Sequence, residues 1–537
     1  MSSLRGTLAL AALAGCPAPE PEDTAEPPFE MTAERIAAIE AAAQADLDAG
    51  NATVAQIAIW REGEIVYEGV IGQATTVGGD AVAADTLLQI GSDTKKMTAI
   101  VAHQLADDGA LDLDAPLPDV LVDFSLEQSP EWAASATVAD LLAHRGGLFD
   151  YTPWDPAPND SELADRAYGE FAESGWAVAP ADATWNYSNP NFSLAGLASE
   201  RAAGQPWPDL VVDTLFSPLG LDDTFARKLD FGNDPNVALG VGYAGFTDDP
   251  FDPIHSSSNF TFGTVPLEDV ADNGWTRPAG LVWSTATDQA RLGAFLVDGD
   301  PTVLSEEARA TITTARGPLY PAWDAQGYGH GLFVIQGINL GSEFYDIPAW
   351  THGGNTLAYT SATWMLPEQR VALSILGNGY GVDFTSTAVT IMAQVAELPE
   401  PTSRPAIPSA ETPHAALAGT YVDPYIGRIV ISDVDGALQI AMPDLAAEGL
   451  AILPGLRYAD LTDVYDARVD GQWNEIVFVP DDDGVYRWAR NRLFVGTRDD
   501  TSAALGARPV RRSAADLRVA IAEGAADVAR RRLGTGR

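Results

Sequence analysis

Ser92-Asp93-Thr94-Lys95 places a hydroxyl and an amine three residues apart. On a helix those positions share a face, so Ser92 Oγ and Lys95 Nζ can meet. A serine hydroxyl is a weak nucleophile until a base stands within hydrogen-bond reach. A lysine serves as that base when burial and the positive end of a helix strip its charge. Ser-x-x-Lys is common by chance. Here the chain has three lysines, Lys95, Lys96 and Lys228, and of these Lys95 alone has a serine three residues earlier. A second group lies in Trp185-Asn186-Tyr187-Ser188-Asn189-Pro190. The Tyr187 phenol can relay a proton, and the Asn189 amide can donate to a substrate carbonyl. By itself that segment reads as a loop, since Asn-Pro favours turns. The third group is His352-Gly353-Gly354-Asn355, on a predicted strand whose glycines let the backbone come close to a ligand. His103, His144, His255, His330 and His414 read as structural or surface residues.

The elements that must hold these groups follow from periodicity. Met31 to Ala49 is predicted helical, with Ile36, Ile39 and Ala43 on one face. Thr53 to Trp60 and Glu64 to Val70 read as strands joined at Glu62-Gly63. Leu87 to Gly91 is strand-like, and Ser92 to Asp108 is an amphipathic helix with Met97, Ile100, Val101 and Leu105 on one face. Leu148 to Pro278 reads as helices joined by long loops. Thr285 to Asp288 resembles a capping box opening a helix through Val297. Strand-like runs follow at Gly331–Gln336, Trp350–Asn355, Tyr359–Leu366 and Arg370–Leu376, then a helix from Thr385 to Leu398. Pro399 to Pro413 reads as a linker. Beyond it, short apolar runs punctuated by Asp435-Gly436, Asp470-Gly471 and Asp483-Gly484 predict a small antiparallel β domain from Ala415 to about Gly506.

Together the Ser-x-x-Lys, the Tyr-x-Asn and the His-Gly strand resemble the class C β-lactamase-like serine hydrolases, a family that also holds penicillin-binding D,D-carboxypeptidases, D-aminopeptidases and esterases. The likeness spans roughly residues 32 to 398. Gly109 to Pro116, Leu141 to Leu148 and Ala279 to Thr285 also look like the family. The resemblance implies an α+β fold (an α-β sandwich): an antiparallel sheet flanked by helices with a helical subdomain, then a small β-barrel-like domain. Leu417-Ala418-Gly419-Thr420-Tyr421 resembles the start of the lipocalin-like barrel appended to many of these hydrolases. It also implies roles. Ser92 would be acylated, Lys95 would be its base, and Tyr187 would share the proton transfers. Asn189 would orient substrate. Ser92 N–H and Asn355 N–H would form the oxyanion hole beside Gly353 and Gly354. His352 stands where true β-lactamases have a lysine. A lysine is a permanent cation that grips a carboxylate, whereas histidine is mostly neutral at pH 7. The expectation is therefore an esterase or amide/peptide hydrolase. The alternatives are a β-lactamase or D,D-carboxypeptidase, and a non-catalytic envelope binding protein that keeps the fold.

Composition narrows the rest. The 537 residues carry 31 basic and 76 acidic side chains, a net charge of −45, which excludes a nucleic-acid binder. Scarce lysine with abundant acid fits adaptation to high salt and fits equally a genome that favours Arg codons. The expected partner is a small-molecule, peptide or ester substrate. No cofactor is implied. The Asp481–Asp483 and Asp155–Asp165 stretches match no EF-hand spacing and read as solvated turns, not a metal site. Residues 1–15 have a basic residue and a short apolar run like a secretory signal. Leu13-Ala14-Gly15-Cys16 resembles the bacterial lipobox, which implies cleavage before Cys16, lipidation of that residue, and anchoring of the protein to a membrane of the cell envelope. Residues 16–30, rich in Pro and Glu, read as an extended tether. The last thirty residues hold eight Arg against three acids. They read as a helix docked on the acidic body or as a basic tail.

Overall fold

Glu62 and Gly63 both have positive φ (49° and 107°), as a tight two-residue hairpin requires. They join β1 (Val54–Arg61) to β2 (Glu64–Gly72). The computed structural model describes residues 29–499 apart from 157, 233–234, 245–260 and 493. Cys16 with the signal-like start and nearly all of the tether, and the basic tail, lie outside the described residues. Six further strands complete one sheet: β3 (Gly317–Tyr320), β4 (Trp323–Tyr328), β5 (Phe333–Leu340), β6 (Glu343–Asn355), β7 (Thr360–Leu366) and β8 (Val371–Gly377). The spatial order is β2-β1-β8-β7-β6-β5-β4-β3, and each neighbouring pair is antiparallel.

β1 is buried along its whole length, Gln56 and Arg61 included, because both of its mainly apolar faces are covered. Ala55, Ile57 and Ile59 join a core with α1 (Ala33–Ala49) and the closing helix Thr385–Val395. Val54, Ala58 and Trp60 point to the opposite face, into the larger core. That period of two is the geometry of a central strand covered on both sides. The helix Ala286–Asp298 packs on that second face, and α2 (Lys95–Asp107), preceded by a 3₁₀ turn, Gly91–Thr94, joins the same larger core. The amphipathic reading of this helix is corrected: every residue from Lys95 to His103 is buried. α2 is a central helix, packed against α3 (Asn189–Ala203) as well as the turn that carries Ser92. The strand-like Leu87–Gly91 shrinks to Leu88–Gln89, paired with Trp283–Ser284. β3 and β4 carry no strand signal in the sequence, because Gly317, Pro318, Pro321 and Gly327 interrupt their alternation; β3, with its proline, is an edge strand, where proline is tolerated.

The second unit is a closed antiparallel barrel of eight sequential strands, from Gly419–Asp423 to Val495–Arg498. The first pairs with the last at Tyr421↔Arg498. Asp435-Gly436 and Asp470-Gly471 turn with both φ values positive (53° and 80°; 46° and 85°), as their Asp-Gly pattern requires. Tyr421 and Tyr465 pack on Phe478 at 5.9 and 5.8 Å between ring centres, so side chains fill the interior.

Candidate active site

Ser92 sits in the 3₁₀ turn, half-buried, and Lys95 opens α2 beneath it, fully buried. Gly91 takes a left-handed φ of 56°, and a Cβ there would stand 2.6 Å from Asn355 N. A Cβ on Gly354 would stand 2.6 Å from Ser92 N and 2.0 Å from Ile90 O. The end of β6 therefore lies directly against the Ser92 turn, and only glycine permits that approach. Ser361 on β7 ties the turn down, its Oγ donating to Ile90 O at 2.7 Å.

Lys95 Nζ has three oxygen neighbours: Ser92 Oγ at 3.0 Å, Asn189 Oδ1 at 2.7 Å and Ala279 O at 2.7 Å. Two of them, the amide and the peptide oxygen, can only accept. A neutral amine has two protons to give and one lone pair. In that neutral form, donating to Asn189 and Ala279 would leave the lone pair for the serine hydroxyl. Burial pushes Lys95 well below the ordinary lysine range; Asp150 opposes that shift and Arg492 reinforces it. The Tyr187 ring centre lies 4.9 Å from Nζ.

Asn189 is N-terminal in α3, ahead of Pro190, so the Tyr187-Ser188-Asn189 segment is a helix entry and not a free loop. Its N–H donates to Asp150 Oδ1 at 2.7 Å and its Nδ2 to Thr152 Oγ1 at 2.6 Å. Both ends of the amide are thus engaged within the protein, which makes Asn189 a holder of Lys95. His352 is buried on β6, its Nε2 3.0 Å from Tyr328 Oη and its Nδ1 2.7 Å from Gly353 O. Both ring nitrogens are engaged. The Tyr328 hydroxyl is pushed well above its usual range by burial and stays protonated. The Asn355 side-chain oxygen accepts from Thr360 Oγ1 at 2.9 Å, and its backbone nitrogen lies against Gly91 of the turn.

Four neighbours were not singled out by sequence. His144 stacks on Tyr187 with ring centres 4.0 Å apart and is held neutral by burial. In sequence it stands within Leu-Ala-His-Arg-Gly-Gly, where nothing local distinguishes it from a structural histidine. Asp150 and Thr152 hold Asn189 and carry no local signature. Arg492 comes from the barrel, and its guanidinium lies 4.5 Å from the Tyr187 ring centre. A small cleft runs between Trp185–Tyr187 and the barrel residues Glu475, Val477 and Arg490–Arg492. Among the described residues no cluster of three or more His, Cys, Asp or Glu side chains could hold a metal.

The beta-lactamase family profile matches residues 39–396, about two thirds of the chain. The chain belongs to the beta-lactamase family. Members of this family are serine hydrolases, and the chain is one. It is 29% identical over 385 residues to penicillin-binding protein 4 of Amycolatopsis lactamdurans, covering 68% of this chain and 92% of that protein. It is 28% identical over 183 residues to esterase EstB of Burkholderia gladioli, 30% of this chain and 44% of the esterase. The crystal structure of SurE superposes with a TM-score of 0.61 at 22% identity, over 87% of this chain and 99% of SurE. That coverage means that the fold likeness extends past the hydrolase sheet into the barrel.

Proposed function

We propose that the protein hydrolyses esters or amide/peptide bonds through an acyl-enzyme on Ser92. The observation that carries this reading is the Lys95 amine, buried and 3.0 Å from Ser92 Oγ. In the acylation step the Ser92 proton passes to Nζ as Oγ bonds to the substrate carbonyl carbon. The N–H groups of Ser92 and Asn355 hold the oxyanion, a contribution of several kcal/mol in such sites. Collapse of the tetrahedral intermediate breaks the bond to the leaving group, which takes a proton from Lys95 through Tyr187. Water then reverses the sequence and frees the acid. Asn189, Gly353 and Gly354 shape the site, and His352 lines it.

The engagement of both His352 nitrogens, where a lysine would offer a permanent cation, supports a substrate without an essential carboxylate. A second reading, a penicillin-binding D,D-carboxypeptidase or β-lactamase, is favoured by the likeness to the Amycolatopsis penicillin-binding protein. Rates on p-nitrophenyl acyl esters, a cephalosporin and a D-Ala-D-Ala peptide separate them. Efficient cephalosporin turnover with ester inertness reverses the ranking. Absence of any Ser92 adduct across fluorophosphonate and penicillin probes favours a binding protein that keeps the fold.

We further propose that Cys16 carries a lipid that anchors the protein to the cell envelope, on the strength of the Leu-Ala-Gly-Cys motif and the acidic tether behind it. An unmodified Cys16 in the mass spectrum of membrane extracts overturns this.

A further inference from the structure

Arg492 lies between the barrel strands Tyr486–Arg490 and Val495–Arg498, far along the chain from the catalytic segments. Nevertheless its Nη1 forms an ion pair with Asp150 Oδ2, and its guanidinium covers the Tyr187 ring. The other Asp150 oxygen accepts the Asn189 N–H, and Asn189 Oδ1 accepts from Lys95 Nζ, each at 2.7 Å. A continuous path of contacts thus runs from the barrel to the base. Both ionic side chains are 17% exposed, so solvent screens them weakly. The segment is held in place on either side. Arg490 Nη2 donates to Leu319 O, its guanidinium lies 5.1 Å from the Trp185 ring centre, and Asn491 Nδ2 donates to Glu475 O at 2.7 Å. Thr497 Oγ1 donates to Val178 O at 3.3 Å.

We propose that Arg492 and Asp150 form a charge pair, completed only when the barrel docks, that poises Lys95 to accept the Ser92 proton. Arg492 is then a positioning residue that acts through the field at Lys95. The proposal rests on the reading of Lys95 as the base.

The two charges act in opposite senses: the carboxylate favours the protonated amine, and the guanidinium disfavours it. The other groups facing Lys95 are uncharged or engaged. They are the Ser92 hydroxyl, the Asn189 amide, the Ala279 carbonyl, the Tyr187 and Phe192 rings, and His144, which burial keeps neutral. His352 is bonded to Tyr328 and Gly353, and the adjacent Lys96 is paired with Asp93 at 2.6 Å. Burial supplies most of the depression of Lys95, and the pair adjusts what remains.

The test is the pH dependence of acylation by a chromogenic ester in the full chain, for Arg492→Gln, Asp150→Asn and the double variant. Asn at 150 keeps an oxygen for the Asn189 N–H, so it removes charge with little change of shape. Arg492→Gln is expected to move the acidic limb to higher pH by roughly half a unit, and Asp150→Asn to move it to lower pH by a similar amount. The double variant falls between them, and Arg492→Lys returns towards the parent. Limbs that stay still, or that move the same way in both single variants, overturn the proposal. So does an Arg492→Gln effect confined to KM for carboxylate-bearing esters, which would make Arg492 a substrate anchor. If Arg492→Gln does not fold, the downward shift in Asp150→Asn decides. Lys95→Met separates the two readings: normal acylation there removes the base itself, whereas loss of acylation there with unmoved limbs elsewhere removes the charge pair alone.

Discussion

Gly354→Ala is a methyl group added outside the chemistry, and it should nearly silence the enzyme. Its Cβ would stand 2.0 Å from Ile90 O, 2.6 Å from Ser92 N and 2.7 Å from Gly91 Cα, all of them backbone atoms with no rotamer to escape into. A carbon meets a carbonyl oxygen comfortably at about 3.3–3.6 Å, so β6 and the Ser92 turn must part by roughly 1.3–1.6 Å. That gap opens between the two N–H groups assigned to the oxyanion. Misplacement on this scale costs about 10²-fold, and loss of one oxyanion donor costs about 10²–10³ in rate, ~3–4 kcal/mol of transition-state stabilisation. The stability penalty of overpacking is smaller, about 1–3 kcal/mol. Single-turnover acylation by a p-nitrophenyl ester, with a thermal melt alongside, reads both. Gly455→Ala, where an added Cβ meets nothing within 4 Å, is the control and should change neither. A cooperatively melting Gly354→Ala protein that acylates at the parent rate would refute the placement of the oxyanion site between β6 and the turn.

Ser92→Ala is expected to abolish covalent labelling by a fluorophosphonate, and Lys95→Met to slow acylation nearly as far, because the pair acts as a unit; intact-mass spectrometry after timed exposure checks both, and parent-rate labelling of Lys95→Met removes it as the base. Lys96→Met should instead destabilise the fold by about 3–5 kcal/mol, since it strands the buried Asp93 carboxylate, and a denaturant titration that matches the parent contradicts this. Acid should weaken the protein through His103, which burial pushes down to about 4: between its ordinary 6.5 and that value the unfolded chain takes a proton that the native one refuses. Stability is then full above 6.5, falls by up to about 3 kcal/mol towards pH 4 and levels off below; melts of His103→Gln should show a shallower fall, and an unchanged slope would exclude this histidine as the cause.

Much of the hydrolase sheet and the position of α2 were legible because their signals are local. Glu62-Gly63, Asp435-Gly436 and Asp470-Gly471 turn as their residue types demand. Thr285 caps its helix by accepting from Asp288 N, as the Thr-x-x-Asp spacing implied. What stayed hidden depends on distant partners. Asp150, Thr152 and Arg492 are ordinary loop residues until the fold brings them to Asn189 and Tyr187. The π-helical and irregular stretches within Leu148–Pro278 follow no single period, so their packing around Trp275 and Phe171, 4.9 Å apart, could not be read from spacing.

Lys95 and Lys96 show what the residue three positions before a buried lysine decides. Both are fully buried in the first turn of α2, and both have a polar residue three positions earlier. For Lys96 that residue is Asp93, whose second oxygen accepts from Thr363 Oγ1 at 2.5 Å, so the carboxylate is anchored to the sheet and its charge favours the ammonium. For Lys95 it is a hydroxyl, and the remaining partners are neutral oxygens. Burial disfavours the cation at both sites; Lys96 is bonded directly to a carboxylate that offsets it, whereas Asp150 acts on Lys95 without touching it and Arg492 opposes that effect. The same helical turn therefore holds a structural ammonium and an amine able to take a proton, and the difference is one side-chain identity on the preceding 3₁₀ turn.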